Sequence, residues 1–495
     1  MTDRPNILII CTDQQRWDTL GATGNPFVNT PDIDALYDTG AVVEQAYCQS
    51  PVCTPSRSGF MTGRYPSITG AYQNGQDIDD RERLLSRILA DHGYTCGLSG
   101  KLHLSACNPS AEPIQERRID DGFRVFNWSH QPASSCADQA AGTVRNHAPN
   151  WPLNDYNLWL AERDGHYDTV PHPDCAHIQI GPEARFHQTT FCAERAISFI
   201  EAHQGSKAPW MFQVNIFDPH HPFDPPAEYL DRYLDRLDDI PLPDYAPGEL
   251  DDKPRAQKVD HNGAYGGGAG FAYDGMSERD HRYVRAAYFA MCDLISDQVG
   301  RMVAALDATG QRQDTLVVFM SDHGELLGDH GIYLKGPFFY EPSVHVPLAF
   351  NWPGQIAAQT VSELVELTDL VPTLLDAAGI EIEYGIQGRS LWPLLSGTDA
   401  ITPRQDIYCE YYNAMPWHDR DGGAWATMVR SQNAKIVVDH GHGGGELYDL
   451  DADPGEHRNL WDAPEAAALK TAMLVRLSNR MAGTIDPRPR RRADW

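Results

Sequence analysis

The chain has 495 residues, 41% of them hydrophobic and 22% charged, with a formal net charge of −29. This length accommodates one large α/β domain plus a smaller one. So acidic a chain argues against nucleic acid as a partner, since duplex recognition needs clustered Lys and Arg, and it requires any pocket for an anion to be locally positive.

Strand and helix signals alternate along the chain as a doubly wound, mostly parallel sheet demands. Asn6–Cys11 (NILIIC) predicts a buried strand. It is too short for a leader-peptide core, and Arg4 and Pro5 precede it directly. Thr30-Pro31 opens a helix through Thr39, Ala41–Ala46 predicts a strand, and Pro55 is placed to open the next helix. Arg81–His92 is amphipathic and leads into a strand over Tyr94–Ser99. Gln188–His203 predicts a helix and Trp210–Phe217 the strand after it. Asp280–Thr309 is the longest helical pattern, ending at Gly310, and Thr315–Met320 (TLVVFM) predicts another buried strand. Helix Asp369–Ala378 closes this half.

From about Gly385 the texture changes. Short alternating segments (Asp406–Tyr412, Trp425–Arg430, Lys435–Asp439, Glu446–Leu450) predict a small antiparallel sheet, with a helix from Pro464 to about Met481 packed on it. The expected division is 1–384 for the larger unit and 385–495 for the smaller, with long loops at about 128–187 and 259–277. No apolar stretch approaches a membrane span, and the ten cysteines show no disulfide-framework spacing, so a reduced, cytoplasmic setting is expected.

Cys53-Thr54-Pro55-Ser56-Arg57 is an odd group for a packed core. Cys53 is expected just ahead of the helix that Pro55 opens, at the end that attracts anions. Arg57, one turn on, can aim a guanidinium back at it. This layout suits a nucleophile that attacks an anion. Asp13 and Asp322 each follow a buried strand, where ligands of an open α/β sheet gather. The two carboxylates make a candidate hard-cation site, with residue 53 nearby and Gln14 and His323 next door.

The C-x-P-S-R stretch resembles the signature of the type I sulfatases of the alkaline phosphatase superfamily. The resemblance implies an alkaline phosphatase-like fold, oxidation of Cys53 to formylglycine (3-oxoalanine) by a formylglycine-generating enzyme, and one divalent cation. Asp13 and Asp322 match the family's metal-binding aspartates. Gln14 stands where a second aspartate is usual and His323 where an asparagine is usual, as in the phosphonate monoester hydrolase-like branch. An imidazole ligand favours Mn²⁺ over Ca²⁺. Gly100-Lys101-Leu102-His103 resembles the family's G-K-x-H element, which implies that Lys101 contacts sulfate and His103 acts as a base. His220, in Pro219–Phe223, matches the general acid for the leaving group. Lys335, within 321–348, is implied to bridge leaving-group and sulfate oxygens, and Arg57 to neutralise the transferring group. Asn74 matches a substrate-contacting asparagine of the phosphonate hydrolase-like branch, or else makes a local turn.

The function implied is hydrolysis of a small-molecule sulfate monoester by a homo-oligomer. Two alternatives stay open: a phosphonate monoester or phosphodiester hydrolase with the same machinery, and a silent protein that only binds sulfated ligands. Trp151, Tyr156, Trp159 and the Gly263–Gly270 region are candidate pocket walls or a lid, and the C-terminal RPRRRADW a solvated tail or an arm to another subunit.

Overall fold

The computed structural model describes residues 4–108, 113–132, 154–418 and 423–493. Eight strands form the large sheet: β1 (Asn6–Thr12), β2 (Ala41–Tyr47), β3 (Thr95–Gly100), β4 (Phe123–Trp128), β5 (Trp210–Ile216), β6 (Thr315–Ser321), β7 (Leu348–Asn351) and β8 (Gln359–Glu366). Their spatial order is β8-β2-β7-β6-β1-β5-β3-β4. Every pairing is parallel except those of β7, which runs antiparallel to both β2 and β6.

Both faces of the central strands are covered, which is why they read as unbroken apolar runs. Ile7, Ile9 and Cys11 of β1 join one core, while Leu8 and Ile10 join the core on the opposite face. β6 alternates in the same way, with Leu316, Val318 and Met320 on one face and Val317 and Phe319 on the other. Each fully buried aliphatic side chain contributes about 1.5–3 kcal/mol, so this double coverage sets the register of the sheet.

The register brings the functional strand ends to one level. Thr12 lies opposite both Ile216 and Ser321, and Gly100 lies opposite Asn215. The residues that follow β1, β3, β5 and β6 therefore emerge side by side at the carboxyl edge, where an open sheet presents its crevice. Gly100 is obligatory there: its φ is 94°, and a Cβ would lie 1.9 Å from the Asn215 carbonyl oxygen.

Several expectations need correction. The Cys53 helix spans Cys53–Thr62 with Val52 as N-cap, so Cys53 is its first residue and Pro55 its third. Proline is tolerated there because the first-turn N–H groups have no partner within the helix. The helix expected from Arg81 begins at Leu85, because the Asp79 carboxylate accepts the Arg81 N–H in a local turn at 2.9 Å. The long helix begins at Glu278, behind a capping box between Ser277 and Asp280. Strands β4, β7 and β8 add to those expected.

The loop expected over 259–277 starts as the end of helix Arg255–His261. The Asp260 carboxylate then accepts N–H groups of Tyr265 and Gly266, which closes the turn on itself. Tyr156 and Trp159 stack on each other and meet Phe191 at steep angles in the core, so they do not line a pocket; Trp151 lies outside the described residues. Arg488 folds back to pair with Glu82 and Asp486, so the start of the tail belongs to its own chain.

The second sheet pairs Ile407–Tyr412, Trp425–Arg430, Ala434–Asp439 and Gly444–Asp449 in antiparallel order, and helix Ala467–Gly483 packs on it. Among the described residues, no helix is long and apolar enough to cross a membrane.

Candidate active site

Asp13 leaves β1 at the centre of the site, fully buried. Its Oδ2 accepts from Lys101 Nζ at 2.6 Å and from Arg57 Nη2 at 3.1 Å. Its Oδ1 lies 3.6 Å from Cys53 Sγ and 3.8 Å from His323 Nε2. Asp322 leaves β6 beside it. Asp322 Oδ1 accepts the backbone N–H groups of Gln14 (3.0 Å) and His323 (2.9 Å), and Oδ2 lies 2.9 Å from Arg57 Nε. Gln14 reaches this position with φ 69°, a conformation in which its N–H can turn towards Asp322.

Cys53 is 2% exposed. Lys335 Nζ donates to its Sγ at 2.9 Å, and His323 Nε2 approaches to 3.2 Å. Lys335 also donates to Gln14 Oε1 at 2.8 Å, while the Gln14 amide nitrogen donates to Glu325. The His323 Nδ1 lies 2.9 Å from the Gly324 carbonyl oxygen, an arrangement that puts the Nδ1 proton there and leaves Nε2 as a donor atom.

Asp13, Cys53, Asp322 and His323 offer ligand atoms all within 4.8 Å of one another. Two carboxylates, an imidazole and the atom on residue 53 fit a divalent cation, and Asp322 Oδ2 has an ion-pair neighbour but no hydrogen bond. Lys101, Lys335 and Arg57 make this pocket locally positive within an acidic chain, as an anionic substrate requires.

Arg57 does not face Cys53. Its guanidinium binds Asp13, Asp322 and the Lys101 carbonyl oxygen, behind the carboxylates. Asn74 Oδ1 accepts the Thr54 N–H at 3.1 Å, so the structure uses it to cap the Cys53 helix. His103 and His220 flank the centre. The His103 ring meets His130 edge to face at 4.5 Å, and His220 stacks on His221 at 4.1 Å with Nδ1 turned to the His221 carbonyl.

A family model described as Sulfatase matches residues 5–380. The chain belongs to the sulfatase family. A second model, described as N-sulphoglucosamine sulphohydrolase, C-terminal, matches residues 328–482 of this sulfatase. An arylsulfatase of Clostridium perfringens is 28% identical, covering 98% of this chain and 96% of its own. A multifunctional alkaline phosphatase superfamily protein of Trinickia caryophylli is 30% identical over 94% and 93%. Among solved structures, the phosphonate monoester hydrolase of Silicibacter pomeroyi superposes with a TM-score of 0.82 at 24% identity, covering 98% and 96%, which shows the shared fold. As a member of this family the sulfatase is a sulfuric ester hydrolase.

The charges around residue 53 act against burial. Burial and the Asp13 carboxylate push the Cys53 thiol up, yet Lys101, Lys335 and His323 outweigh them and bring it to about 7. Despite its burial, Lys101, His220, Lys335 and Arg57 hold Asp13 well below the usual carboxylate range. Burial disfavours a charged His323, but Asp322 and the Cys53 sulfur raise it to about 9, so a bound cation would take the place of that proton.

The flanking histidines go the other way. Burial, reinforced by Lys335, holds His220 and His221 well below their ordinary 6.5, and burial with Lys101 does the same for His130. Below pH 6.5 the unfolded chain therefore binds protons that the folded chain refuses, and stability falls as pH falls. Each ring contributes up to ~1.4 kcal/mol per pH unit. The thermal midpoint of the sulfatase should decline steadily between pH 6.5 and 5; a flat midpoint across that window would contradict the buried neutral histidines.

One supporting residue escaped the sequence reading. The buried Glu116 carboxylate accepts N–H groups of His103, Leu104 and Ser105 and the Trp128 indole N–H. It thereby fixes the turn in which His103 adopts φ 56°. Nothing in the surrounding QERR marks it, since a lone glutamate usually means an exposed surface.

Proposed function

We propose that this sulfatase cleaves sulfate monoesters with a formylglycine derived from Cys53 and one divalent cation held by Asp13, Asp322 and His323, with Gln14 alongside. The observation that carries this reading is the surroundings of Cys53 Sγ: a lysine ammonium at 2.9 Å, an imidazole nitrogen at 3.2 Å and a carboxylate at 3.6 Å. A formylglycine-generating enzyme is the partner it requires. The nitrogen ligand favours Mn²⁺ over Ca²⁺. We also place the division between the two units at 384/385, after the last strand of the large sheet.

Hydrated formylglycine supplies a gem-diol, one hydroxyl to attack sulfur and a second as an internal exit for sulfate. A cation on these ligands supplies the charge that polarises the sulfuryl oxygens and keeps the diol ionised. The protein's own groups do the rest. Lys101 and Lys335 face the transferring group and offset its negative charge. Arg57 holds the two carboxylates in place from behind. His220 delivers a proton to the leaving alcohol oxygen, and the arriving anion favours its charged form. His103, kept neutral by burial and Lys101, is suited to take the proton from the second hydroxyl.

A second reading, phosphonate monoester hydrolysis, is favoured by Gln14 and His323 beside the aspartates. Lys101 and His103 favour sulfate. Rates on an aryl sulfate and an aryl phosphonate monoester decide between them. Sulfate should lead in kcat/KM by at least about tenfold, or ~1.4 kcal/mol; a phosphonate lead of that size would reverse the assignment.

A further inference from the structure

We propose that Glu249, His330 and His457 form a second divalent-cation site, suited to Zn²⁺, which fastens a loop of the C-terminal sheet to the segment carrying Lys335. The three side chains offer ligand atoms within 4.8 Å of one another and share no residue with the Cys53 site. Glu249 lies between the rings, with Oε1 2.8 Å from His330 Nδ1 and Oε2 2.9 Å from His457 Nδ1. Two imidazoles and a carboxylate match the donor set of tetrahedral zinc, with water in the fourth position.

The surroundings orient these donors. His457 Nε2 lies 3.2 Å from the Asp244 carboxylate, and an Nε2 proton donated there leaves the Nδ1 lone pair facing Glu249. A metal-bound histidine is commonly held by a carboxylate in this way. A lone pair and a carboxylate at 2.9 Å repel unless a second proton or a cation lies between them. The His330 ring stacks on Tyr340 at 3.8 Å, and the His330 backbone N–H donates to the Asp244 carbonyl oxygen at 2.8 Å, which holds the residue at φ 55°. Glu249 and His330 side chains are 2% and 4% exposed and His457 30%, so the site opens to solvent on one side.

Both flanks are anchored. Asp329, next to His330, binds Arg16 and Arg285, and Arg16 follows Asp13 and Gln14 closely in the chain. Glu456, next to His457, binds Lys435 Nζ at 2.6 Å and accepts the Glu341 N–H at 2.8 Å. A cation here joins two already rigid segments.

The test strips the full chain of metal with a chelator, re-equilibrates it with Zn²⁺ and counts zinc per chain. Wild type should hold two ions; His457→Ala should hold one and keep its sulfatase activity; Asp322→Ala should also hold one. Equal zinc in wild type and His457→Ala would overturn the second site. Loss of zinc only in Asp322→Ala would leave the catalytic site standing and remove this one. If His457→Ala does not fold, Asp322→Asn decides, because it retains one zinc if the site exists and none if it does not.

Discussion

Cys53→Ser should release about one equivalent of alcohol per active site and then nearly stop. A serine oxygen in the place of Sγ would still have Lys335 Nζ and His323 Nε2 beside it, so a first attack on sulfur remains available. The sulfate ester it forms has no second hydroxyl on the same carbon. His103 then has no proton to remove, and turnover must wait for water to attack sulfur. Losing a positioned acid–base step costs about 10²–10⁴-fold, which is the expected fall in steady-state rate. Rapid-quench kinetics would show the burst, and peptide mass would verify both that residue 53 remains serine and that it carries the sulfuryl group. Wild-type turnover by a variant whose residue 53 is still serine would sink the mechanism. The same mass measurement on active wild type should find an aldehyde in place of the thiol, and a fully unmodified Cys53 there would do equal damage.

Asp322→Ala should lose both the metal of the Cys53 site and activity, the latter by on the order of 10³-fold or more, as several kcal/mol of charge stabilisation disappear. It should also destabilise the fold. Asp322 receives the Gln14 and His323 N–H groups and faces Arg57 Nε, so its removal leaves a fully buried guanidinium with Asp13 as its remaining carboxylate. Breaking a buried pair by removing one partner costs about 3–5 kcal/mol. Asp322→Asn separates the two effects, because an amide oxygen can keep the N–H bonds while the charge is lost. Its denaturation midpoint should lie between those of wild type and Asp322→Ala, with metal still depleted. A metal-replete, fully active Asp322→Ala would refute the site.

Much of the fold is legible in the sequence. The apolar runs at Asn6 and Thr315 have a single stable use, as central strands covered on both faces, and that places Asp13 and Asp322 at the same sheet edge. The spacing of Cys53, Pro55 and Arg57, and the elements around Lys101, His103, His220 and Lys335, belong to short segments whose chemistry is local. What local pattern could not carry is direction and partnership. Whether Arg57 points at Cys53 or behind the carboxylates depends on where β1 and β6 end relative to helix Cys53–Thr62. Asn74 meets the Thr54 N–H only because the chain folds back over that helix. Strand β7 has four residues, too few for a periodic signal, and its antiparallel direction is decided by the two neighbours it joins. Glu249 and His457 lie 208 residues apart, and no sequence pattern links them. Sequence by itself determined the central strands, the order of the candidate site residues and the acidic background, because these follow from hydrophobic periodicity and residue chemistry. Tertiary structure decided which charge faces which, because that depends on long-range register and on the burial that strengthens each pairing.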